Sequence, residues 1–214
     1  TFINELANLC EKLNINVEDV SIGVGTDKRI GGRFLRAGPA YGGSCFPKDT
    51  RAIVDTAKKS NTSLSVINTV INSNDKRSGL LLKRINYILK NKIKNKNITF
   101  LGVTFKANTD DMRESASLKM IPYLNKKGAK IKYYDPTGKK TEFDKFKNVQ
   151  FKNNIKDACE MSDLIIIHTE WNEFKLIDLK KIVKKKKFII YDMRNIYSTE
   201  KMEKQKIKYF GIGK

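Results

Sequence analysis

The stretch Ile98-Thr99-Phe100-Leu101-Gly102-Val103 sets the fold class of the second half of the chain. It is a short apolar run typical of a β-strand, and a helical pattern at residues 115–127 follows it. Similar apolar runs lie at residues 129–134, 164–168, 188–191 and 207–210, with helical patterns at 154–161 and 176–185 between them. This alternation predicts a parallel, doubly wound, Rossmann-like sheet that binds its ligand at the carboxyl ends of the strands.

The residues before this alternation are predicted to be helical. Apolar residues recur at helical spacing in residues 2–13, and residues 17–24, 49–59 and 64–90 show further helical patterns. A Lys- and Asn-rich stretch at residues 90–97 separates the two halves. We therefore predict an α/β protein with an all-helical domain at residues 1–92 and a sheet domain at residues 93–214.

The composition argues against several classes of protein. The net charge is +20, but the lysines are dispersed, which favours a solvated surface over a nucleic-acid site. That charge would also attract dianionic nucleotides. No apolar run approaches the roughly 18 residues of a membrane helix. Three widely spaced cysteines fit neither a disulfide framework nor a metal site, so we expect a cytoplasmic protein without metal, membrane or nucleic-acid binding.

A glycine-rich loop interrupts the helical half. Residues 28–47 hold five glycines and two prolines. Glycine permits positive φ angles and lets backbone amides approach a ligand, and long loops in compact domains are usually functional. A binding loop is the interpretation that we favour, and a purely structural loop is the alternative.

Cys45 is the candidate nucleophile within this region. It lies between a glycine pair and the predicted start of a helix, next to Lys48 and Asp49. A helix N-terminus and a nearby ammonium both favour the thiolate, which is the reactive form. The alternative is a small buried hydrophobic residue, which is what we expect of Cys10 and Cys159.

Two long blocks of this sequence resemble one known family. Residues 27–31, 34–39 and 42–49 are similar to the central region of the UDP-glucose 6-dehydrogenases, and residues 101–115 resemble the first strand and loop of that family's C-terminal domain. Shorter matches follow in the family's order at Tyr134-Asp135-Pro136, Thr169-Glu170-Trp171 and Asp192-Met193-Arg194-Asn195.

The resemblance implies a three-domain enzyme. A helical central domain would form a homodimer, and a C-terminal α/β domain would bind the UDP moiety. We expect the N-terminal NAD-binding Rossmann domain to be absent from this chain, because no G-x-G-x-x-G fingerprint follows a strand. The chain alone is therefore expected to be inactive.

The resemblance also implies the chemistry. NAD would take two hydrides in turn as the C6 alcohol of UDP-glucose becomes the carboxylate of UDP-glucuronate. The Cys45 thiolate would add to the C6 aldehyde, giving a thiohemiacetal and then a thioester that water hydrolyses. Asp49 matches the carboxylate that assists proton transfer and the hydrolytic water; a helix N-terminal charge is its alternative role.

The remaining site residues are implied in the same way. The substrate-binding residues would be Arg29, reaching the neighbouring subunit's substrate, together with Phe34, Leu35, Arg36, Ala37, Gly38, Gly42, Phe105, Lys106 and Arg194. Lys48 and Arg113 match cofactor contacts. His168 and Trp171 are interpreted as packing residues. Sister enzymes acting on GDP-mannose or UDP-N-acetylhexosamines remain alternatives, although Ser44 before the cysteine favours UDP-glucose. A non-catalytic, dimerising nucleotide-sugar-binding module is the alternative from a different class.

Overall fold

The computed structural model describes all residues from 1 to 214. The helices are α1 (Phe2–Leu13), α2 (Val17–Gly25), α3 (Cys45–Lys59), α4 (Ser65–Ile88), α5 (Ser117–Lys126), α6 (Ile155–Cys159), α7 (Asn172–Lys175), α8 (Leu179–Ile182) and α9 (Thr199–Lys204). The strands are β1 (Asn97–Leu101), β2 (Lys130–Tyr134), β3 (Val149–Phe151), β4 (Leu164–Ile167), β5 (Ile189–Asp192) and β6 (Lys208–Gly211).

The first 96 residues form helices and loops without a strand. The helix α1 ends where Asn14 adopts a left-handed conformation with φ of 55°, and α2 begins where the Asn16 side chain accepts a hydrogen bond from the Glu18 amide. The predicted helices at residues 2–13, 17–24 and 64–90 are confirmed within two residues. None of the helices has the length and apolarity that crossing a bilayer requires.

The helix α3 differs from its prediction because it begins at Cys45 rather than at residue 49. Pro47 lies in its first turn, where a backbone N–H has no partner within the helix, so proline costs no hydrogen bond there. The glycines and prolines before residue 48 concealed this start in the sequence. Cys45 is therefore the first residue of the helix.

The second half forms a six-stranded sheet in the order β3-β2-β1-β4-β5-β6, and all strand pairs are parallel. The central strand β1 pairs Ile98 with Ile131 on one side and with Leu164 on the other. The strand order reverses between β1 and β4, which is where such folds open a crevice at the carboxyl ends. The predicted parallel, doubly wound sheet is thus confirmed.

Four short elements were absent from the sequence prediction, one of them the 3-10 helix at Thr141–Phe143. The edge strand β3 has only three residues, too few to show alternation, and the helices α7 and α9 have four and six. The predicted helix at residues 176–185 is the four-residue helix α8. Elements this short are stabilised by tertiary packing, and they contain too few residues to show a periodic pattern in the sequence.

The helices and the sheet share one core. A cluster of 28 buried residues joins Ile85 and Ile88 of α4 to Ile98 and Phe100 of β1. A second cluster, of 11 residues, covers the other face of the sheet beneath α6 to α9. Residues 1–92 therefore pack directly on the sheet, so the loops that precede α3 lie against the loops that follow the strands.

Candidate active site

Cys45 lies exposed at the start of α3. Ser44 is the N-cap residue, and its Oγ lies 3.6 Å from the Cys45 Sγ. Cys10 and Cys159 are both buried, and burial raises the pKa of the Cys159 thiol to about 12. Cys45 is thus the one thiol of the chain that a substrate can reach.

The glycine pair before Cys45 fits against the loop of residues 102–116, which follows β1. A Cβ on Gly42 would lie 2.7 Å from the Glu114 carbonyl oxygen, and a Cβ on Gly43 would lie 2.8 Å from the Phe105 ring. The Gly43 amide donates a 2.8 Å hydrogen bond to the Arg113 carbonyl. These contacts need glycine, and they bring together the two sequence blocks that were predicted to carry the chemistry.

Charged side chains surround this junction. Asp49 lies one turn after Cys45, and its carboxylate is 3.3 Å from the Lys48 ammonium; both side chains are mostly exposed. The Arg113 guanidinium is also exposed and pairs with Asp111 at 2.9 Å. The hydrogen bonds that the Arg113 guanidinium donates to Asp111 are the main cause that raises the Arg113 pKa.

Arg194, two residues after β5, connects several of the predicted site segments. Its Nε donates to the His168 carbonyl and its Nη2 to the Phe105 carbonyl, both at 2.8 Å. Glu170 lies 2.9 Å from the same guanidinium. Burial lowers the Arg194 pKa. A Cβ on Gly38 would lie 3.3 Å from its Nη1, so the glycine-rich loop packs directly against it.

Two residues that sequence reasoning missed hold Gly38 from its other side. The Asn4 side chain accepts a 2.8 Å bond from the Gly38 amide, and buried Arg77 donates a 3.2 Å bond to the Gly38 carbonyl. Asn74, one turn earlier in α4, bonds both backbone groups of Tyr41. The feature of the sequence that could have indicated Asn74 and Arg77 is that both polar residues lie on the apolar face of α4.

A cleft of about 840 Å³ lies between α2 and the carboxyl ends of β4 and β5. Four of the predicted binding residues line it: Leu35, Arg36, Ala37 and Arg194. Lys175, Asn195 and the helix α2 also line it and were not predicted. The feature of the sequence that could have indicated α2 is the four-residue spacing of Val17, Ser21 and Gly25, which places them on one face of the helix, towards the cleft.

Other predicted binding residues lie away from this cleft. Arg29 is almost fully exposed and is paired with Asp27 at 2.6 Å, and Phe34 is 86% exposed. The Lys106 ammonium lies 5.3 Å from the centre of the Phe105 ring. The structure thus separates the predicted residues into a cleft group, a group around Cys45, and exposed residues that contact neither.

The turn after β1 does not fit a dinucleotide. A Cβ on Gly102 would lie 2.4 Å from Thr169, so Thr169 occupies the space in front of this glycine. Asp135, at the end of β2, is buried and accepts a 2.8 Å bond from the Val103 amide. In dinucleotide-binding folds an acidic residue here binds the ribose. The Asp135 carboxylate instead binds its own chain.

No three or more His, Cys, Asp or Glu side chains cluster to hold a metal ion. A second groove, of about 640 Å³, lies at the opposite, amino ends of the strands and is lined mainly by lysines. Parallel sheets bind ligands at their carboxyl ends, so the cleft beside Arg194 is the favoured binding site.

Residues 1–76 match the central domain of the UDP-glucose/GDP-mannose dehydrogenase family, and residues 99–199 match its UDP binding domain. The chain is 40% identical to the UDP-glucose 6-dehydrogenase of Rhizobium meliloti (strain 1021), over all of this chain and 49% of that protein. It spans about half the length of the curated relatives that it matches.

Solved structures agree on the fold. A UDP-glucose dehydrogenase from the hyperthermophilic archaeon Pyrobaculum islandicum superposes with a TM-score of 0.84 and 25% identity, over 99% of this chain and 47% of that one. The NDP-N-acetyl-D-galactosaminuronic acid dehydrogenase of Methanosarcina mazei Go1 matches with the same TM-score, identity and coverage. The backbone therefore does not distinguish between these two sugar substrates.

His168, the single histidine, gives a pH-dependence that can be measured. It lies directly after β4 and is buried. Burial, and to a lesser extent repulsion from the Arg194 guanidinium, lowers the His168 pKa to about 3. The unfolded chain binds a proton near pH 6.5 that the folded chain excludes, so the stability from the neutral ring is lost as pH falls from 6.5 towards 3.

We predict that His168→Asn reduces the slope of unfolding free energy against pH by about 1.4 kcal/mol per pH unit between pH 6 and pH 4. Urea unfolding of both proteins at several pH values measures the two slopes. Equal slopes would show that the folded protein protonates His168 as readily as the unfolded chain does.

Proposed function

The chain belongs to the UDP-glucose/GDP-mannose dehydrogenase family, and from that premise we propose that it supplies the nucleophile and the sugar-nucleotide cleft of an NAD-dependent UDP-glucose 6-dehydrogenase. The observation that carries this proposal is the exposed Cys45 thiol at a helix N-terminus, packed against the loop after β1. The same glycine-rich loop lines the cleft at residues 35–37 and leads to Cys45.

The covalent steps belong to residues of this chain. The Cys45 thiolate adds to the aldehyde carbon at C6, and the carbonyl oxygen takes a proton to give a thiohemiacetal. At the thioester stage, water adds to the carbonyl carbon and the thiolate leaves. Asp49, one helical turn from Cys45 and open to solvent, removes a proton from that water. The addition requires a soft nucleophile and the hydrolysis requires a weakly basic leaving group, and a thiolate is both.

NAD, when bound, accepts the hydrides that turn the alcohol into the carboxylate. The turn after β1 does not fit it, because Thr169 fills the space before Gly102 and Asp135 is engaged by Val103. Lys48 and Arg113 are the exposed cations near Cys45 that would contact its phosphates. We assign no other residue of this chain to the cofactor.

The cleft lies at the carboxyl ends of the strands, and three cations line it together with the carboxylates of Glu18 and Glu170. Arg194 is positioned in advance by two backbone carbonyls, while Arg36 and Lys175 add further cations. Guanidinium groups pair well with diphosphates. UDP-glucose is the proposed substrate because the 40% identical relative carries that activity in its name. A UDP-N-acetylhexosamine is the second candidate, since an N-acetylhexosamine enzyme matches the backbone equally well.

We also propose that residues 1–92 act as a dimerisation domain. Phe2, Leu9, Leu13, Val66 and Tyr87 of α1 and α4 are all more than half exposed, which is costly for a free surface. Arg29, which is paired with Asp27, projects from this half into solvent, where a second subunit would meet the ion pair. Three unpaired cysteines suit a reducing compartment, and we place the protein in the cytoplasm.

The nucleophile is tested in the protein that carries this chain. We expect Cys45→Ala to abolish net oxidation of UDP-glucose while leaving its binding intact, because the aldehyde can no longer be held as an adduct. Cys10→Ala, which changes a buried thiol, is the matched control and should retain turnover. The assay is UDP-glucose-dependent NADH formation. Unchanged turnover in Cys45→Ala would remove the thiol from the mechanism.

The cleft is tested by a pair of arginines in the same loop. We expect Arg36→Ala to weaken UDP binding about tenfold, because it removes a charge-assisted hydrogen bond. Arg33→Ala should change affinity less than about twofold, since Arg33 lies outside the cleft and stacks on Phe34. Calorimetry gives both affinities. Equal effects would show that UDP binds elsewhere.

A further inference from the structure

Arg51 connects three segments around the candidate nucleophile. It projects from α3, the helix that begins with Cys45, and its Nη1 lies 3.1 Å from Glu114 in the loop after β1. Its Nη2 lies 3.2 Å from Asp75 in α4. We call this pair of contacts the Arg51 bridge. Because both ends of the guanidinium are used, lysine could not replace it fully.

Glu114 is held in an unfavourable conformation. Its φ is +54°, in the left-handed region that residues with a Cβ avoid, and strained residues persist where surrounding contacts fix them. Its carbonyl faces Gly42 so closely that no Cβ fits there. The preceding carbonyl, of Arg113, accepts the Gly43 amide. The left-handed turn at Glu114 therefore fixes the direction in which the Arg113 side chain projects from the loop.

Arg113 emerges from that turn beside the nucleophile. Asp111 accepts three bonds from it, one from the backbone amide and two from the guanidinium. Hydrogen bonding to Asp111 is the first cause of the raised Arg113 pKa. The Arg113 carbonyl accepts the amide of Gly43, two residues before Cys45, so Arg113 leaves the loop next to the segment that carries the candidate nucleophile.

We propose that the Arg51 bridge holds the Arg113 guanidinium facing the Cys45 thiolate, which makes Arg51 and Glu114 positioning residues for the nucleophile. The inference rests on the proposed role of Cys45. The side chains of Arg51, Asp75 and Glu114 are all more than 40% exposed, and such ion pairs contribute little to stability. Their effect is on geometry: the bridge fixes the turn at Glu114 relative to α3, and the turn fixes Arg113.

The test measures how strongly positive charge near the Cys45 thiol favours reaction with an anionic reagent. Cys45 is the one exposed cysteine, so alkylation of the 214-residue chain reports on it alone. The probe is the ratio of the rate with anionic iodoacetate to the rate with neutral iodoacetamide, measured at low ionic strength where screening is small. Arg113→Ala should lower this ratio about threefold, because it removes a positive charge that the proposal places next to the thiol.

Glu114→Gln is the decisive variant, because a simple charge effect and the Arg51 bridge predict opposite changes in the iodoacetate to iodoacetamide rate ratio. If charge alone mattered, removing a carboxylate would raise the ratio. If the bridge positions Arg113, the ratio falls about as far as in Arg113→Ala. Asp55→Asn is the charge-matched control: it breaks the Asp55–Lys59 ion pair on α3 and leaves the bridge intact, so the ratio should stay the same or rise. A melting curve confirms that each variant is folded.

A ratio that rises or stays constant in Glu114→Gln overturns the proposal, and so does an unchanged ratio in Arg113→Ala. Arg51→Lys gives a second reading, because the charge is kept while one of the two contacts is lost; an unchanged ratio there also contradicts the bridge. None of these measurements needs dehydrogenase turnover. A failure of the proposed function would appear as a fully active Cys45→Ala enzyme, which leaves the ratios unaffected.

Discussion

The contact between the glycine pair at residues 42 and 43 and the loop after β1 is the constraint on which the site depends. A Cβ at either position would collide with the Glu114 carbonyl or the Phe105 ring. Because the helices pack on the sheet in one shared core, the loop before α3 and the loop after β1 are held in a fixed position relative to each other. The close approach then places Cys45 at the start of α3, open to solvent and two residues after the Gly43 amide that binds the Arg113 carbonyl.

Arg194 has a comparable role at the cleft. It binds the carbonyls of His168 and Phe105 and packs against Gly38, which Asn4 and Arg77 hold from behind. The two carbonyls fix the guanidinium in place, which reduces the cost of binding, and an incoming diphosphate would share or displace the Glu170 carboxylate 2.9 Å away. The glycine-rich loop therefore packs against the Arg194 guanidinium at residue 38 and binds the Arg113 backbone at residue 43.

Much of this could be predicted from the sequence, and the failures have physical causes. Long periodic segments such as α1 and α4 were predicted within two residues, and the sheet was recognised from its apolar runs. The strand β3 was missed because three residues show no period. Asn4, Arg77 and Asn74 were missed because their partners in the loop lie more than thirty residues away in the chain.

The central claim is that the thiol and the cleft form one site, and protection of Cys45 tests it most directly. The rate of Cys45 alkylation is measured while UDP-glucose is titrated, with occupancy of the cleft determined by calorimetry on the same protein. We expect the rate to fall in proportion to occupancy, because the glucosyl group then covers the thiol. An alkylation rate that stays constant while the cleft fills would contradict the account.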